Sequence, residues 1–148
     1  MVPDCYPCAR EREFPELPQR ELIAYDDHWR VAHATSAGIA GWLVLVPRRH
    51  VMEVHELTGA EARCLGTWQA TLAEALNDEL GVAKTYVASF GEAPGYHLHF
   101  HLILRPAELN PEHLGPHVFR LLGTGNDAQL PAEEYDAVSK RISARLAA

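Results

Sequence analysis

The stretch GYHLHFHLILRP, residues 95–106, places a histidine at every second position and an apolar residue in each gap. Successive side chains of a β-strand point to opposite faces, so residues two apart share a face and lie about 6.6 Å from one another. We therefore predict a strand in which His97, His99 and His101 line one face while leucine and phenylalanine side chains enter the core. A row of three imidazoles on one face indicates a chemical role.

Length and charge narrow the classes of function. With 148 residues the chain is long enough for one domain with a substantial core. Its formal net charge of −7 argues against DNA, RNA or an anionic membrane surface as a partner, because those partners select a basic face. No apolar run reaches the length of a membrane span, and we expect no signal peptide because the N-terminus lacks a basic start. Three cysteines, an odd number, disfavour a disulfide framework and favour a cytoplasmic protein.

Apolar runs bounded by turn residues predict four further strands. They cover residues 22–25, 29–35, 41–47 and 84–90. Adjacent strands with short links favour antiparallel pairing, so the predicted fold class is α+β.

Helical periodicity appears in two places. Residues 57–81 carry leucines at helical spacing, Thr58 and Glu61 have the spacing of a capping box, and the final glycine supplies a stop. Residues 106–130 are rich in proline and glycine and predict an irregular covering segment with one short helix. An amphipathic closing helix follows Pro131.

Three imidazoles on one face admit three interpretations. They can form the polar face of a half-exposed sheet. They can bind a catalytic metal, with a further ligand drawn from His50, His55 or Glu92. They can also act on phosphorus: a neutral imidazole attacks an α-phosphate, and a second acceptor then cleaves the resulting phosphoramidate. In this third interpretation the central histidine, flanked on both sides, is the natural nucleophile.

Two segments carry a family resemblance. HLHFHLI, residues 97–103, resembles the signature of the histidine-triad family, and GWLVLVPRRHVMEVHELT, residues 41–58, resembles the segment that precedes the long helix in that family. The likeness covers roughly residues 5–106. It implies a five-stranded antiparallel sheet with one long helix and a C-terminal helix, forming a single domain over 1–148 in which 106–148 is a C-terminal extension. It also implies a homodimer that acts on the α-phosphate of a small nucleotide as a hydrolase or transferase.

The resemblance assigns a role to each histidine of the triad. His99 would be the nucleophile that becomes nucleotidylated. His101 would bind the phosphate and help to protonate the leaving group, and His97 would orient the site. Water as the second acceptor makes a hydrolase, phosphate makes a phosphorylase, and another phosphate ester makes a transferase.

The N-terminal CYPC, residues 5–8, has the cysteine spacing of a zinc knuckle, although a redox pair or two incidental cysteines would explain it equally well. Some members of the histidine-triad family hold a structural zinc with such a pair and two distant histidines. The resemblance therefore implies a zinc site of Cys5, Cys8, His50 and His97, and no organic cofactor. If His97 is a ligand, it orients the site through the metal. Cys64, within the long helix, is most simply a small buried residue.

The sequence departs from the family pattern at the substrate site. Trp42 stands where a histidine often follows the glycine, and residues 32–40 contain no acidic side chain to hold ribose hydroxyls. Phosphate contacts are therefore expected from the Ser89 side chain and from the backbone amides of Gly95 and Tyr96.

Two other functions compete with covalent nucleotidyl transfer. One is a metal-dependent hydrolase built on the same histidines, and the other is a non-catalytic nucleotide-binding module. The remaining histidines are expected on the surface or in loops, and the three tryptophans in the core. Those histidines are His28, His33, His113 and His117.

Overall fold

A computed structural model of the protein describes residues 2–81, 84–123 and 129–148. Five strands form one antiparallel sheet in the order β1-β2-β3-β5-β4. Their bounds are β1 Ala24–Tyr25, β2 Trp29–His33, β3 Trp42–Pro47, β4 Lys84–Ala88 and β5 Phe100–Arg105. The predicted α+β class and the five-stranded sheet are confirmed.

The histidine strand is shorter than predicted at its N-terminal end. Its ladder with the neighbouring strands begins near Phe100, and residues 97–99 form an extended approach to it. The reason is a different backbone partner: the Leu98 N–H donates to the Val51 carbonyl, 2.8 Å away, in the segment after β3. His101 therefore lies within the sheet, His99 lies at its edge, and His97 precedes it.

The long helix α2 spans Gly59–Leu80, close to the predicted 57–81. Its capping box is present, since the Thr58 hydroxyl accepts from the Glu61 N–H at 3.2 Å and the Glu61 carboxylate accepts from the Thr58 N–H at 2.8 Å. Gly81 ends the helix with φ +63°, a left-handed conformation that suits glycine. Leucines from the buried face of α2 belong to one core with the sheet.

Strand register separates the sheet into two faces. In an antiparallel pair, directly opposed residues point to the same side. Val31 opposes Leu45, and Leu43 opposes Leu102, so these apolar side chains share the core. The intervening residues form the other face, where Ala32 opposes Val44 and Val44 opposes His101. That second face carries the candidate site.

Several shorter elements cover the sheet. The predicted closing helix is α3, Ala132–Ala147, with Pro131 as its N-cap residue, and the predicted short helix is a 3₁₀ segment, Gly115–Leu121. An N-terminal helix α1, Tyr6–Glu13, was not predicted, because its polar sequence YPCARERE has no helical pattern of apolar residues. In the described ranges, no helix has both the length and the apolar character needed to cross a membrane.

The capping box of α2 generates a stability prediction. Thr58→Ala removes the side-chain acceptor of the first turn and should lower the free energy of unfolding by about 1 kcal/mol. Chemical denaturation measures this difference. Thr67→Ala, the same change at an exposed position inside α2, is the control and should stay within about 0.5 kcal/mol of the parent chain. Equal losses from both substitutions would contradict the capping role.

Candidate functional site

A cavity of about 380 Å³ opens on the second face of the sheet. Ala32, Val44 and Val46 form an apolar floor, and His99 and His101 line one side of it. The register of β2, β3 and β5 places these residues together. Val44 is opposed to Ala32 on one side and to His101 on the other, and Val46 and His99 lie two positions from Val44 and His101. The cavity therefore combines a small apolar surface with two imidazoles.

His99 is held in a single orientation. Its Nδ1 lies 2.9 Å from the carbonyl oxygen of His97, which can only accept, so Nδ1 carries the proton and Nε2 has the free lone pair. The Ser89 hydroxyl, in the residue that follows β4, donates to the His99 carbonyl at 2.7 Å and fixes the backbone there. Burial lowers the pKa of His99 below its ordinary value, which keeps the ring neutral. A neutral imidazole with a free nitrogen can act as a nucleophile.

His101 has the opposite arrangement of ring nitrogens. The Trp42 indole N–H donates to its Nδ1 at 2.9 Å, so Nδ1 is the acceptor and Nε2 carries the proton of the neutral ring. The rings of His99 and His101 lie edge to face with centroids 4.8 Å apart. Burial, and secondarily the nearby His99, lower the pKa of His101 to about 3. The two rings thus offer a lone pair and an N–H donor side by side.

His97 belongs to a second cluster, with Cys5, Cys8 and His50. The sulfur of Cys5 lies 3.5 and 3.4 Å from Nδ1 of His50 and His97. The sulfur of Cys8 lies 3.3 and 3.7 Å from the same two atoms. A tetrahedral zinc with ordinary bond lengths holds its sulfur and nitrogen ligands about 3.5 Å apart. The four residues predicted as a ligand set therefore come together at distances that fit zinc.

The outer contacts of the cluster also suit a metal. His97 Nε2 lies 2.8 Å from the Pro47 carbonyl, so Nε2–H donates there and Nδ1 keeps its lone pair toward the cysteines. Burial is the main cause that lowers the pKa of His97 to about 4. His55 and Glu92, considered as alternative ligands, are exposed and lie outside the one metal-ligand cluster found in the part of the chain that the structure describes.

The predicted phosphate ligands lie beside His99, but two of them have other partners. The Ser89 hydroxyl donates to the His99 carbonyl, as described above. The Tyr96 N–H donates to the Ala93 carbonyl at 3.1 Å, and the Tyr96 ring lies 5.1 Å from the His99 ring. Gly95 is exposed with φ +71°, a backbone conformation that glycine adopts without strain.

Sequence patterns did not indicate the charged end of the cavity. There the Tyr6 hydroxyl donates to a Glu21 carboxylate oxygen, and a guanidinium nitrogen of Arg30 donates to the Glu21 carbonyl at 2.6 Å. Arg30 is only 2% exposed, and its Nε lies 3.8 Å from a Glu11 carboxylate oxygen without a hydrogen bond. Burial and the hydrogen bond to Glu21 raise the pKa of Tyr6 to about 12. Only folding brings α1 and the segment before β1 close to β2. No local sequence pattern could therefore predict that Tyr6, Glu21 and Arg30 meet.

His33 also lines the cavity, and the expectation that it lies on the surface or in a loop is wrong. The ring is buried, with Nδ1–H donating to the Ala34 carbonyl at 2.9 Å and Nε2 accepting from the Gly41 N–H at 2.9 Å. The Tyr135 ring lies against it with centroids 4.7 Å apart. Burial lowers the pKa of His33 from 6.5 to about 4. Position 33 ends an apolar strand, and α3 covers it only in the folded chain.

This buried histidine generates a prediction about stability and pH. The unfolded chain binds a proton at His33 below pH about 6.5, whereas the folded chain does so only below about 4. The contribution of His33 to the free energy of unfolding is therefore fully present above pH about 6.5. It falls as the pH drops toward 4, by up to about 1.4 kcal/mol per pH unit. His33→Gln removes the titration, so its free energy of unfolding should fall less steeply over this range in denaturation series. His117→Gln, at an exposed position, controls for the substitution itself. Parallel curves for the parent chain and His33→Gln would contradict the argument.

Comparison with known proteins places the chain in context. Residues 16–108 match the family model described as HIT domain. A Hit-like protein involved in cell-cycle regulation from Bartonella henselae is 18% identical, with a TM-score of 0.73 and 97% of each chain covered. A Zn-bound histidine triad family protein from Mycobacterium smegmatis is 14% identical, with a TM-score of 0.67 over 97% of this chain and 96% of that one. A hypothetical histidine triad nucleotide-binding protein from Sulfolobus tokodaii strain 7 is 15% identical, with a TM-score of 0.73 over 97% and 92%. No curated protein sequence matches.

At these identities the structural neighbours establish a shared fold. The matched family model covers more than half of the chain and includes all three alternating histidines. The family resemblance seen in the sequence is therefore confirmed: the chain belongs to the histidine-triad (HIT) family.

Proposed function

We propose that the protein is a nucleotide hydrolase or nucleotidyltransferase that acts at an α-phosphate through a covalent intermediate on His99. One observation carries this proposal: the His97 carbonyl accepts a hydrogen bond from the Nδ1–H of His99, which leaves Nε2 as the basic nitrogen of a ring that lines the cavity. His101 stands beside it with Nε2–H available to a phosphate oxygen. A nucleophile next to an anion-binding donor is the arrangement that phosphoryl chemistry needs.

The reaction proceeds in two displacements. The Nε2 lone pair of His99 forms a bond to the α-phosphorus, and the bond from phosphorus to the leaving group breaks with its electron pair on the leaving group. Water or another acceptor then adds to phosphorus, the P–N bond breaks, and the neutral imidazole is restored. With water, the products are a nucleoside monophosphate and a proton released to solvent.

The dimensions of the cavity support a small ligand. Its volume of about 380 Å³ falls within the range of small-molecule sites. The apolar floor suits an aromatic base or a sugar face, and the buried charges of Glu21 and Arg30 supply polar groups at one end. The Gly95 amide and the Tyr96 ring beside His99 complete the proposed substrate contacts, and Ser89 supports them by holding the His99 backbone.

We further propose that Cys5, Cys8, His50 and His97 hold a structural zinc. All four ligand atoms lie within 4.8 Å of one another, and the Mycobacterium smegmatis neighbour is Zn-bound. When bound, the ion would supply cohesion between the N-terminus and the sheet. Four protein ligands leave no open position for a reacting water, which favours a structural role over a metal-dependent hydrolase. His97 would then hold the zinc through its Nδ1 and the nucleophile through its carbonyl.

Removing a cysteine tests the zinc site. Cys8→Ser should lower zinc content, measured by mass spectrometry of the purified protein, and lower the melting temperature with it, because a structural metal contributes folding energy. Cys64→Ser, at the cysteine outside the cluster, should retain the metal. Full zinc content in Cys8→Ser would contradict the ligand set. Zinc-free protein that folds and melts like the parent would contradict the structural role.

Replacing the nucleophile tests the function. After brief mixing with dinucleoside polyphosphates, nucleotide sugars or nucleoside phosphoramidates and an alkaline quench, the intact mass should increase by one nucleotidyl group. His99→Ala should lose both the adduct and turnover while keeping nucleotide affinity within about tenfold, about 1.4 kcal/mol. His55→Ala, an exposed histidine outside both clusters, should behave like the parent chain.

The same measurement separates the competing functions. Turnover that survives in His99→Ala would contradict the covalent mechanism and favour metal-assisted hydrolysis, and a chelator would then abolish it in folded protein. Nucleotide binding without adduct or turnover would favour a non-catalytic binding module. The homodimer and the cytoplasmic location stay predictions from the sequence.

A further inference from the structure

Trp42 and His101 form a buried pair whose chemistry the two displacement steps leave unused. The indole N–H of Trp42 lies 2.9 Å from His101 Nδ1, and the two rings meet edge to face with centroids 5.8 Å apart. Trp42 is 0% exposed and His101 is 6% exposed. This hydrogen bond is therefore shielded from water, which cannot replace it when His101 changes its protonation.

An indole nitrogen can donate but cannot accept a hydrogen bond. Because Trp42 donates to Nδ1, His101 has its single proton on Nε2. A proton on Nδ1 would place two buried N–H groups against each other with no acceptor between them, an arrangement that proteins avoid. The contact therefore disfavours both the other neutral tautomer and the doubly protonated cation.

The surroundings keep Trp42 in place. Its backbone pairs with Ile103 across the β3–β5 ladder. The Phe119 ring stands edge to face against both members of the pair, with centroids 5.3 Å from Trp42 and 5.0 Å from His101. These contacts hold the indole ring beside the imidazole.

We propose that Trp42 is a positioning residue that holds His101 as a neutral Nε2–H donor, so that the site takes nucleotides whose α-phosphate bears a phosphate leaving group and discriminates against those that bear an amine. The inference rests on the proposed covalent mechanism. It names the substrate class for the same site: nucleoside polyphosphates, dinucleoside polyphosphates or nucleotide sugars.

The balance of protons explains the preference. When His99 attacks a phosphoanhydride, the P–O bond breaks and the leaving phosphate departs as a stable oxyanion, which needs no proton. When it attacks a phosphoramidate, the P–N bond breaks and the amine must receive a proton as it leaves. A neutral imidazole that gave up its only N–H would become an imidazolate, so His101 can donate a hydrogen bond but no proton. General acid catalysis contributes about 10²- to 10⁴-fold, and the amine substrate loses this factor.

The protonation of His101 can be tested without activity. In ¹⁵N NMR of zinc-loaded protein with labelled histidine, His101 should show a protonated Nε2 and an unprotonated, hydrogen-bonded Nδ1. Trp42→Phe removes the indole N–H but keeps a buried ring, and the Nδ1 signal should then lose its hydrogen-bond shift. A proton on Nδ1 in the parent chain, or an unchanged spectrum in Trp42→Phe, would overturn the proposal.

The substrate preference is tested with one nucleoside and two leaving groups. For the parent chain, kcat/KM for the dinucleoside tetraphosphate should exceed that for the alkyl phosphoramidate by about 10²-fold or more. Trp42→His, whose imidazole can accept a hydrogen bond from Nδ1–H, should narrow this ratio at least tenfold. Trp42→Phe leaves Nδ1 buried without an acceptor and should narrow it less. Trp29→Phe is the matched control, because it removes another buried indole hydrogen bond, to the Glu61 carbonyl at 3.1 Å, away from His101. It should lose stability and keep the parent ratio.

The outcomes distinguish this proposal from the function on which it rests. If the parent chain forms the His99 adduct but hydrolyses both substrates within threefold, the leaving-group proposal fails and the covalent mechanism stands. An equal narrowing in Trp29→Phe would also overturn it, because the effect would then follow from core packing alone. If neither substrate gives an adduct or turnover, the mechanism fails and the substrate class fails with it.

Discussion

His97 is the residue on which the site depends. Its Nε2–H donates to the Pro47 carbonyl at the end of β3, its Nδ1 faces two cysteine sulfurs, and its own carbonyl accepts the Nδ1–H of His99. One side chain and one peptide group thus connect the N-terminal segment, the central strand and the nucleophile. Because a ring nitrogen that donates cannot also bind a metal, the contact with Pro47 selects the atom that faces the cysteines.

The electrostatics of the site follow from burial of neutral rings. The chain carries a net charge of −7, and burial lowers the pKa of all three imidazoles around the cavity. These rings are His33, His99 and His101. A row of cations would hold a phosphate more strongly, but it would leave no lone pair for attack and would cost the solvation of several charges. The neutral rings divide the work: His99 offers a lone pair, and His101 offers an N–H donor.

The charged end of the cavity follows a different rule. Arg30 is buried with its charge, and it is tolerated there because Glu11 and Glu21 lie beside it. Glu11 also pairs with Arg48 at 2.7 Å, so α1 is attached to the sheet by charge as well as by the cysteine cluster. These pairs explain how a helix with little apolar pattern is held beside the site, and they show how α1 adds polar groups that the sheet alone would not provide.

Much of the fold could be predicted from local patterns. The alternation of residues 95–106 identified the histidine strand, and the capping box of Thr58 and Glu61 located the start of α2. Both signals lie within a few consecutive residues, so they act before any contact between distant parts of the chain forms. The ligand set of the metal cluster came from the family resemblance rather than from spacing.

The remaining features depend on contacts between distant parts of the chain. Cys5 and His97 are separated by 92 residues, and Trp42 and His101 by 59. Such contacts also decide three other features. These are the late start of the strand ladder at Phe100, the burial of His33 and the charged end formed by Arg30. The sequence by itself determined the five strands, the helices α2 and α3 and the face that carries the imidazoles, because these depend on periods of two and of about 3.6 residues. Only the tertiary structure decided which nitrogen of each ring holds its proton, because that depends on the donor or acceptor that packing and strand register bring against it.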